Sequence, residues 1–155
     1  MATRTAKILL FAGIAVGAAL LLTGRADGEL KPDTSRGRYI ESYIETLDEK
    51  GKTRWELYQV VSERGLHYKD FALLVRIAKA ESGFSQFEKD GETVRFGRVN
   101  KKDRGLFQMN ARWHEKPCAD KGWDIETTDG NIRCAVDLYT REGTKPWNWS
   151  KAGWK

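Results

Sequence analysis

Glu81 is the residue whose position first suggests chemistry. It lies near the end of a predicted helix at residues 69–82, whose apolar stripe, followed in steps of three and four residues, leads to Glu81 and Ser82. A carboxyl group on a buried stripe is costly unless it has a task. Because burial raises its pKa, such a group can remain protonated near neutral pH and serve as a general acid. The structural alternative is a helix-end acid paired with a nearby base such as Arg76.

The elements around Glu81 are predicted to be mostly helical. Residues 39–50 and 53–64 form two short amphipathic helices, the first ending at Gly51 and the second opening with a capping box of Thr53 and Glu56. A hairpin that turns at Asp90-Gly91 follows the Glu81 helix. A polar loop bearing tryptophans then leads to a last helix at residues 131–142. The predicted fold class is therefore mainly α, with a small β-hairpin after the Glu81 helix.

The N-terminal residues are predicted to lie outside this domain. Residues 8–24 form an uncharged stretch of 17 residues, a length that suits either a signal anchor or the apolar part of a signal peptide. We assign residues 1–27 to this segment and favour the anchor, because no good cleavage site follows it. Residues 28–38 form a polar linker, and residues 39–155 form one domain. Both interpretations place that domain outside the cytoplasm.

Charge and composition exclude other classes of function. The net charge is +5, but beyond residue 25 the chain holds 24 basic and 22 acidic residues, with no arginine-rich or lysine-rich run. A nucleic-acid-binding surface needs a concentrated basic patch, so we expect no nucleic-acid partner. His67 and His114 are isolated from other ligand types, so we expect no metal and no cofactor.

The two cysteines, Cys118 and Cys134, are 16 residues apart. They are too few for a zinc site and lack a CxxC spacing. A single disulfide in an oxidising compartment is their simplest use, and two free buried thiols are the alternative.

Two short motifs together resemble those of the lysozyme superfamily. They are ESGF at residues 81–84 and, after the predicted hairpin, DRGLFQMN at residues 103–110. The chain is similar both to soluble lytic transglycosylase domains and to c-type lysozymes, over residues 68–149. The resemblance implies an α+β lysozyme-like domain that cleaves the β-1,4 bond between N-acetylmuramic acid and N-acetylglucosamine in peptidoglycan. It also implies that Glu81 is the catalytic residue that protonates the glycosidic oxygen.

The resemblance further implies contacts with the substrate. Gln108 would bond the sugar on the cleft floor, and Gly105 would let a sugar approach the backbone. Tyr139 matches a tyrosine of the third transglycosylase motif, although here it stands in Leu-Tyr-Thr rather than Tyr-Asn, and core packing is its alternative. The implied substrate-binding residues are Ser82, Gly105, Gln108, Asn110 and Tyr139.

Asp103 bears on the type of reaction. The c-type lysozymes carry a second carboxylate at this position, and retaining hydrolases use such a pair about 5 Å apart. Transglycosylases need only the glutamate, because the sugar's own 6-hydroxyl attacks and leaves a 1,6-anhydro end. We expect a lytic transglycosylase, with hydrolysis by Glu81 and Asp103 as the alternative. A catalytically idle wall-binding or assembly protein is the alternative from another class.

The expected partners are peptidoglycan glycan strands and, through the N-terminal segment, a membrane. An anchored wall-cutting enzyme suits local wall opening by a secretion or conjugation machine in the periplasm, or by a phage virion. Four tryptophans can either stack on sugars or pack in the core: Trp113, Trp123, Trp147 and Trp149.

Overall fold

The computed structural model describes residues 42–155, which are mainly helical and include a small antiparallel hairpin. This agrees with the predicted fold class at that level. The predicted signal segment at residues 1–27 and the linker at residues 28–38 lie outside the described residues. Within residues 42–155, no helix combines the length and apolar character needed to cross a membrane.

The first full helix, α1, spans Glu49–Glu63 and differs from the prediction. Residues 42–45 are helical, and a short break follows before α1 begins. The Asp48 side chain caps α1 by accepting a hydrogen bond from the Gly51 amide at 2.7 Å. Thr53 lies inside the helix, where its hydroxyl donates to the Glu49 carbonyl. The predicted stop at Gly51 and the capping box at Thr53 are therefore wrong, because Asp48 provides a cap farther upstream.

The second helix, α2, carries Glu81 and spans Tyr68–Ser82, one residue longer than predicted. At its start, Asp70 accepts a hydrogen bond from the His67 amide. At its end, Gly83 adopts a left-handed conformation with φ of 72°, which glycine tolerates without strain. Its buried face contributes Leu74, Ile77 and Ala78 to the core.

The sheet lies after α2, as expected, but uses other residues. Strands β1 (Asp103–Arg104) and β2 (Met109–Asn110) pair antiparallel, with Asp103 opposite Asn110. Around Asp90-Gly91 the chain does turn, but the flanking segments make isolated bridges rather than a continuous ladder, one between Phe87 and Val94 and one between Phe96 and Arg104. Backbone hydrogen bonds join these segments, from the Glu88 amide to the Thr93 carbonyl and from the Arg95 amide to the Gln86 carbonyl, whereas β1 and β2 enclose a buried turn.

The remaining elements are helical. Helix α3 spans Ala111–Ala119, where a loop was predicted. The sequence does not indicate this helix because it is polar and contains Pro117. Helix α4 spans Thr128–Glu142, so it begins three residues before the predicted start, and it is capped by Thr127. A 3-10 helix, η1, spans Lys145–Gly153 with a kink at Trp147. A disulfide joins Cys118 in α3 to Cys134 in α4, as predicted.

One hydrophobic core holds these elements together. Helix α4 packs on α1, and η1 packs on α2 beside Glu81. The turn between β1 and β2 enters the core through Leu106 and Phe107, both without solvent exposure. The core therefore fixes two parts of the chain close to the end of α2: the turn and η1.

Candidate active site

Two adjoining cavities meet at Glu81. The first has a volume of about 420 Å³ and the second about 490 Å³, each within the usual size of a small-molecule site. Glu81 and Gln108 line both, so they stand at the junction. The structure thus brings together the two residues that the sequence motifs placed at the centre of the site.

The Glu81 carboxyl group is half-buried, and this burial is the main cause of its raised pKa. The negative charge of Asp103 raises the pKa further, while a hydrogen bond from the Ser150 side chain lowers it. Because the first two effects outweigh the third, the protonated form is favoured compared with a carboxyl group in water. A carboxyl group in this state can act as a proton donor.

Ser82, beside Glu81, is buried and joins the end of α2 to the turn of the sheet. Its hydroxyl lies 2.8 Å from the Leu106 carbonyl and 3.1 Å from the Ala78 carbonyl, and it accepts a bond from the Ser85 amide. Ser82 also lines the first cavity. Its bonds support a positioning role, because they hold the helix end against the Gly105–Gln108 turn.

Gly105 packs against the buried side chain of Gln86. It is buried with φ of 66°, and a Cβ atom there would meet the Gln86 side-chain oxygen at 2.2 Å. The residue that approaches Gly105 is thus Gln86, which accepts from the Leu106 amide and donates to the Ile125 and Glu126 carbonyls. Gly105 lines neither cavity, because this buried glutamine occupies the space.

Gln108 and Asn110 both face the cleft. Gln108 has a φ of 49° and donates its side-chain amide to the Gly105 carbonyl at 2.8 Å. Asn110 lines the second cavity and donates to the Asp103 carboxylate at 2.7 Å. Its Oδ1 atom is buried and has no hydrogen-bond partner within residues 42–155.

Asp103 also lines the second cavity, alongside Glu81. One of its oxygens accepts bonds from the side-chain amides of Asn110 and Asn100, at 2.7 and 3.1 Å. Burial raises its pKa, and the bond from Asn110 opposes that shift. Asp103 therefore both belongs to the cleft and fastens the loop that precedes β1.

Tyr139 is not brought to the cleft. Its hydroxyl donates to Asp70 at 2.8 Å, and it lines neither cavity. Asp70 is in the first turn of α2 and Glu81 in the last, so roughly 16 Å of helix separates them. The pKa of Tyr139 is raised to about 12, first by burial and then by the bond with Asp70. Tyr139 thus joins α4 to the start of α2, the end opposite Glu81.

Several cleft residues were not assigned from sequence. Ser150 reaches Glu81 from η1, and its oxygen accepts a bond from the Trp154 indole at 3.0 Å. His114 lines the second cavity and has a lowered pKa, chiefly through burial. The sequence around Ser150 and around His114 gives little indication of these positions, because the cleft brings together segments that are far apart in the chain.

The four tryptophans separate into two groups. Trp113 and Trp149 are exposed and line the second cavity, so their rings are available to stack on a ligand. Trp147 is buried and donates to the Phe107 carbonyl at 3.0 Å. Trp123 packs beside the cations of Arg64 and Lys121.

Comparison of the chain with family models, with curated proteins and with solved structures gives no match. Within residues 42–155, no group of three or more His, Cys, Asp or Glu side chains is placed to hold a metal ion. The residues of the cleft are therefore the basis for a functional proposal.

Proposed function

We propose that this protein is a peptidoglycan-cleaving glycosidase that acts on the β-1,4 bond between N-acetylmuramic acid and N-acetylglucosamine. We propose further that it is a lytic transglycosylase, which leaves 1,6-anhydro ends. The observation that carries the proposal is the half-buried Glu81 carboxyl, whose pKa is raised, at the junction of two cavities. A strand lying across the junction would have one sugar on each side and its scissile oxygen near the proton donor.

In this mechanism, Glu81 donates its proton to the glycosidic oxygen as the bond from that oxygen to the muramic acid C1 breaks. The ionised Glu81 then takes the proton of the muramic acid 6-hydroxyl, whose oxygen bonds to C1 and closes the anhydro ring. Gln108 and Asn110, which line the cleft, hold polar groups of the sugars. Proton transfer of this kind contributes about 10²–10⁴-fold to a rate.

Hydrolysis by a lysozyme-type reaction is the second candidate, and the position of Asp103 favours it. Asp103 lines the same cavity as Glu81, and its charge contributes to the raised pKa of Glu81. Two carboxyl groups in one cleft can serve as acid and as nucleophile or stabiliser. The bonds of Asp103 to Asn100 and Asn110 support the first candidate instead, because they give it a role in shaping the loop.

The cellular setting is part of the proposal. The Cys118–Cys134 disulfide supports a location in an oxidising compartment, such as the periplasm or the outside of a virion. Residues 1–27 would attach the domain to a membrane or direct its export. Confinement of this kind suits an enzyme that opens the wall locally for a secretion, conjugation or phage assembly.

Digestion of purified peptidoglycan followed by mass analysis tests the proposal. A transglycosylase product carries an anhydro end that is lighter by one water than the reducing end left by hydrolysis. We expect anhydro ends, and we expect Asp103→Asn to reduce turnover less than about tenfold. Reducing ends, together with a loss of several orders of magnitude in a folded Asp103→Asn variant, would make the hydrolase correct. Absence of any cleavage by the parent protein would favour the idle wall-binding alternative.

A further inference from the structure

The segment at the end of η1 packs closely on the last turns of α2. Gly153 ends η1 at a point where a Cβ atom would lie 3.0 Å from the Cβ atom of Ala80. This separation is tighter than most contacts of a real Cβ atom, so glycine permits the close approach of η1 next to Glu81. Trp154, which follows, is buried, with 6% of its surface exposed. The packing of this segment therefore bears directly on the surroundings of the Glu81 carboxyl group.

The indole N–H of Trp154 is shared between two acceptors in η1. It donates to the Ser150 oxygen at 3.0 Å and to the Trp147 carbonyl at 3.1 Å. The Ser150 hydroxyl in turn donates to the same carbonyl at 3.1 Å. One buried N–H thus holds both the serine oxygen and an acceptor of the serine hydroxyl in place.

Ser150 also has a second acceptor, the carboxyl group of Glu81. Its hydrogen bond to Glu81 lowers the pKa of that group, against the larger effect of burial. A serine hydroxyl has one proton to donate and two lone pairs that accept. The Ser150 proton therefore serves either the Trp147 carbonyl or the Glu81 carboxylate, while the Trp154 N–H occupies one lone pair in both cases.

We propose that Trp154 is a positioning residue for Glu81, because its N–H fixes the oxygen through which Ser150 reaches the carboxyl group. When Glu81 is ionised, the Ser150 hydroxyl donates to it. When Glu81 is protonated, the hydroxyl donates to the Trp147 carbonyl, and its free lone pair can accept the carboxyl proton. In the proposed reaction Glu81 gives up a proton and takes one back, so Ser150 has a partner at each stage. The inference rests on the proposed function for this role.

The ionisation of Glu81 in the full chain tests the inference without any substrate. Nuclear magnetic resonance titration of isotope-labelled glutamate carboxyls follows it, and the signal that disappears in Glu81→Gln is that of Glu81. Trp154→Phe deletes the N–H that polarises the Ser150 hydroxyl, which makes the hydroxyl a weaker donor. The pKa of Glu81 should therefore rise, by less than in Ser150→Ala. Adding Trp154→Phe to Ser150→Ala should cause no further rise, because Trp154 acts through Ser150.

Trp147→Phe is the matched control. Trp147 is also a buried tryptophan of η1, but its indole donates to the Phe107 carbonyl and not to Ser150. The substitution keeps the backbone carbonyl that accepts from Ser150, so the titration of Glu81 should match that of the parent. Replacement of Trp154 by benzothienylalanine, which has the shape of tryptophan with sulfur in place of the N–H, preserves the packing where Trp154→Phe does not fold.

The Trp154 indole proton of the parent gives a second measurement that requires no change at Trp154. Its signal should shift as Glu81 ionises, and this shift should be absent in Ser150→Ala. The inference would be overturned by an indole signal that does not follow Glu81, or by an unchanged Glu81 titration in a folded Trp154 variant. A rise of the same size in Trp147→Phe, or one that persists in the Ser150→Ala background, would also overturn it. The expected titrations without any cleavage of peptidoglycan would overturn only the proposed function.

Discussion

The two ends of helix α2 carry carboxyl groups in contrasting environments. At the first turn, Asp70 accepts a hydrogen bond from Tyr139, and this bond is the main cause of its lowered pKa. At the last turn, Glu81 also has a hydroxyl partner, Ser150, yet its pKa is raised because burial outweighs the bond. The comparison shows that a hydroxyl partner does not by itself decide the charge of a carboxyl group. For these two carboxyl groups, exposure to water determines the direction of the pKa shift.

This difference arises from what packs on each end. The start of α2 faces solvent next to α4, whereas its end is covered by η1 and by the turn after β1. Burial destabilises the anion, and the protonated form is the one that can donate a proton. The same helix can therefore hold an ionised carboxylate with a structural role and a carboxyl group suited to acid catalysis.

Glu81→Gln should have the largest effect on activity. Glutamine keeps the shape of the side chain but cannot donate a proton to a glycosidic oxygen, so we expect turnover to fall by about 10²–10⁴-fold. Release of soluble fragments from purified peptidoglycan measures this, with circular dichroism to confirm folding.

Asp70→Asn is the matched control at the other end of the same helix. It makes the same chemical change, from carboxyl to amide, and should leave turnover within about twofold, since Asp70 lines neither cavity. If folded Glu81→Gln and Asp70→Asn lost turnover to a similar extent, the two ends of α2 would not differ in function.

Ser150→Ala should change the pH dependence of the reaction. The Ser150 bond lowers the pKa of Glu81, so its removal should raise that pKa. A general acid loses activity as pH rises through its pKa, and the alkaline limb of the kcat profile should therefore move to higher pH. Ser150→Thr, which keeps the hydroxyl, is the control, and an alkaline limb that does not move would show that Ser150 has no influence on Glu81.

The sequence predicted α2 well because its signals are local. A continuous apolar stripe and a terminal glycine define this helix and place Glu81 at its end. The contact of Ser150 with Glu81 had no such signal, because the two residues are 69 positions apart and meet only when η1 packs on α2. Helix α3 escaped prediction for a related reason, since its polar sequence contains Pro117 and it is tied to α4 by the disulfide.

The turn motifs also predict local structure but not which distant segments meet. Asp90-Gly91 is a strong local turn signal, and the chain turns there, but local sequence does not show that the ladder forms one segment later. Likewise, Gly105 was expected to let a sugar approach the backbone, whereas its contact with the buried Gln86 could be identified only from the folded chain.

Glu56→Gln tests whether a carboxyl pKa is also raised elsewhere in the molecule, chiefly by burial and further by the charge of Asp129. Burial is the main cause that raises the pKa of Glu56 to about 7, and it lines neither cavity. Between its usual pKa of 4.5 and about 7, the folded chain holds a proton that the unfolded chain releases, so stability falls as pH rises through this window. Glu56→Gln should not lose stability as pH rises through this window.

Because Glu56 is partly exposed, solvent screening reduces the effect. We expect Glu56→Gln to exceed the parent in unfolding free energy by about 1 kcal/mol at pH 8, with the advantage shrinking toward pH 4.5. Urea unfolding at several pH values measures this. Parallel curves for parent and variant across the window would show that Glu56 titrates normally.

Tyr139→Phe should have the smallest effect, and it tests whether the far end of α2 is only structural. The pKa of Tyr139 is raised to about 12, so its hydroxyl remains protonated and donates to Asp70 throughout the working range. Phenylalanine removes this bond, and for a partly exposed carboxylate we expect a loss of at most about 1 kcal/mol at pH 7. Since the bond lowers the pKa of Asp70, its contribution to the free energy of unfolding is present above the usual pKa of 3.8 and is lost as pH falls through the folded value.

The unfolding curves of the parent and of Tyr139→Phe should therefore converge in acid, while kcat/KM stays within about twofold. A loss of about tenfold or more in kcat/KM, with unchanged unfolding, would instead place the Tyr139 hydroxyl on the substrate, as the resemblance to transglycosylases implied.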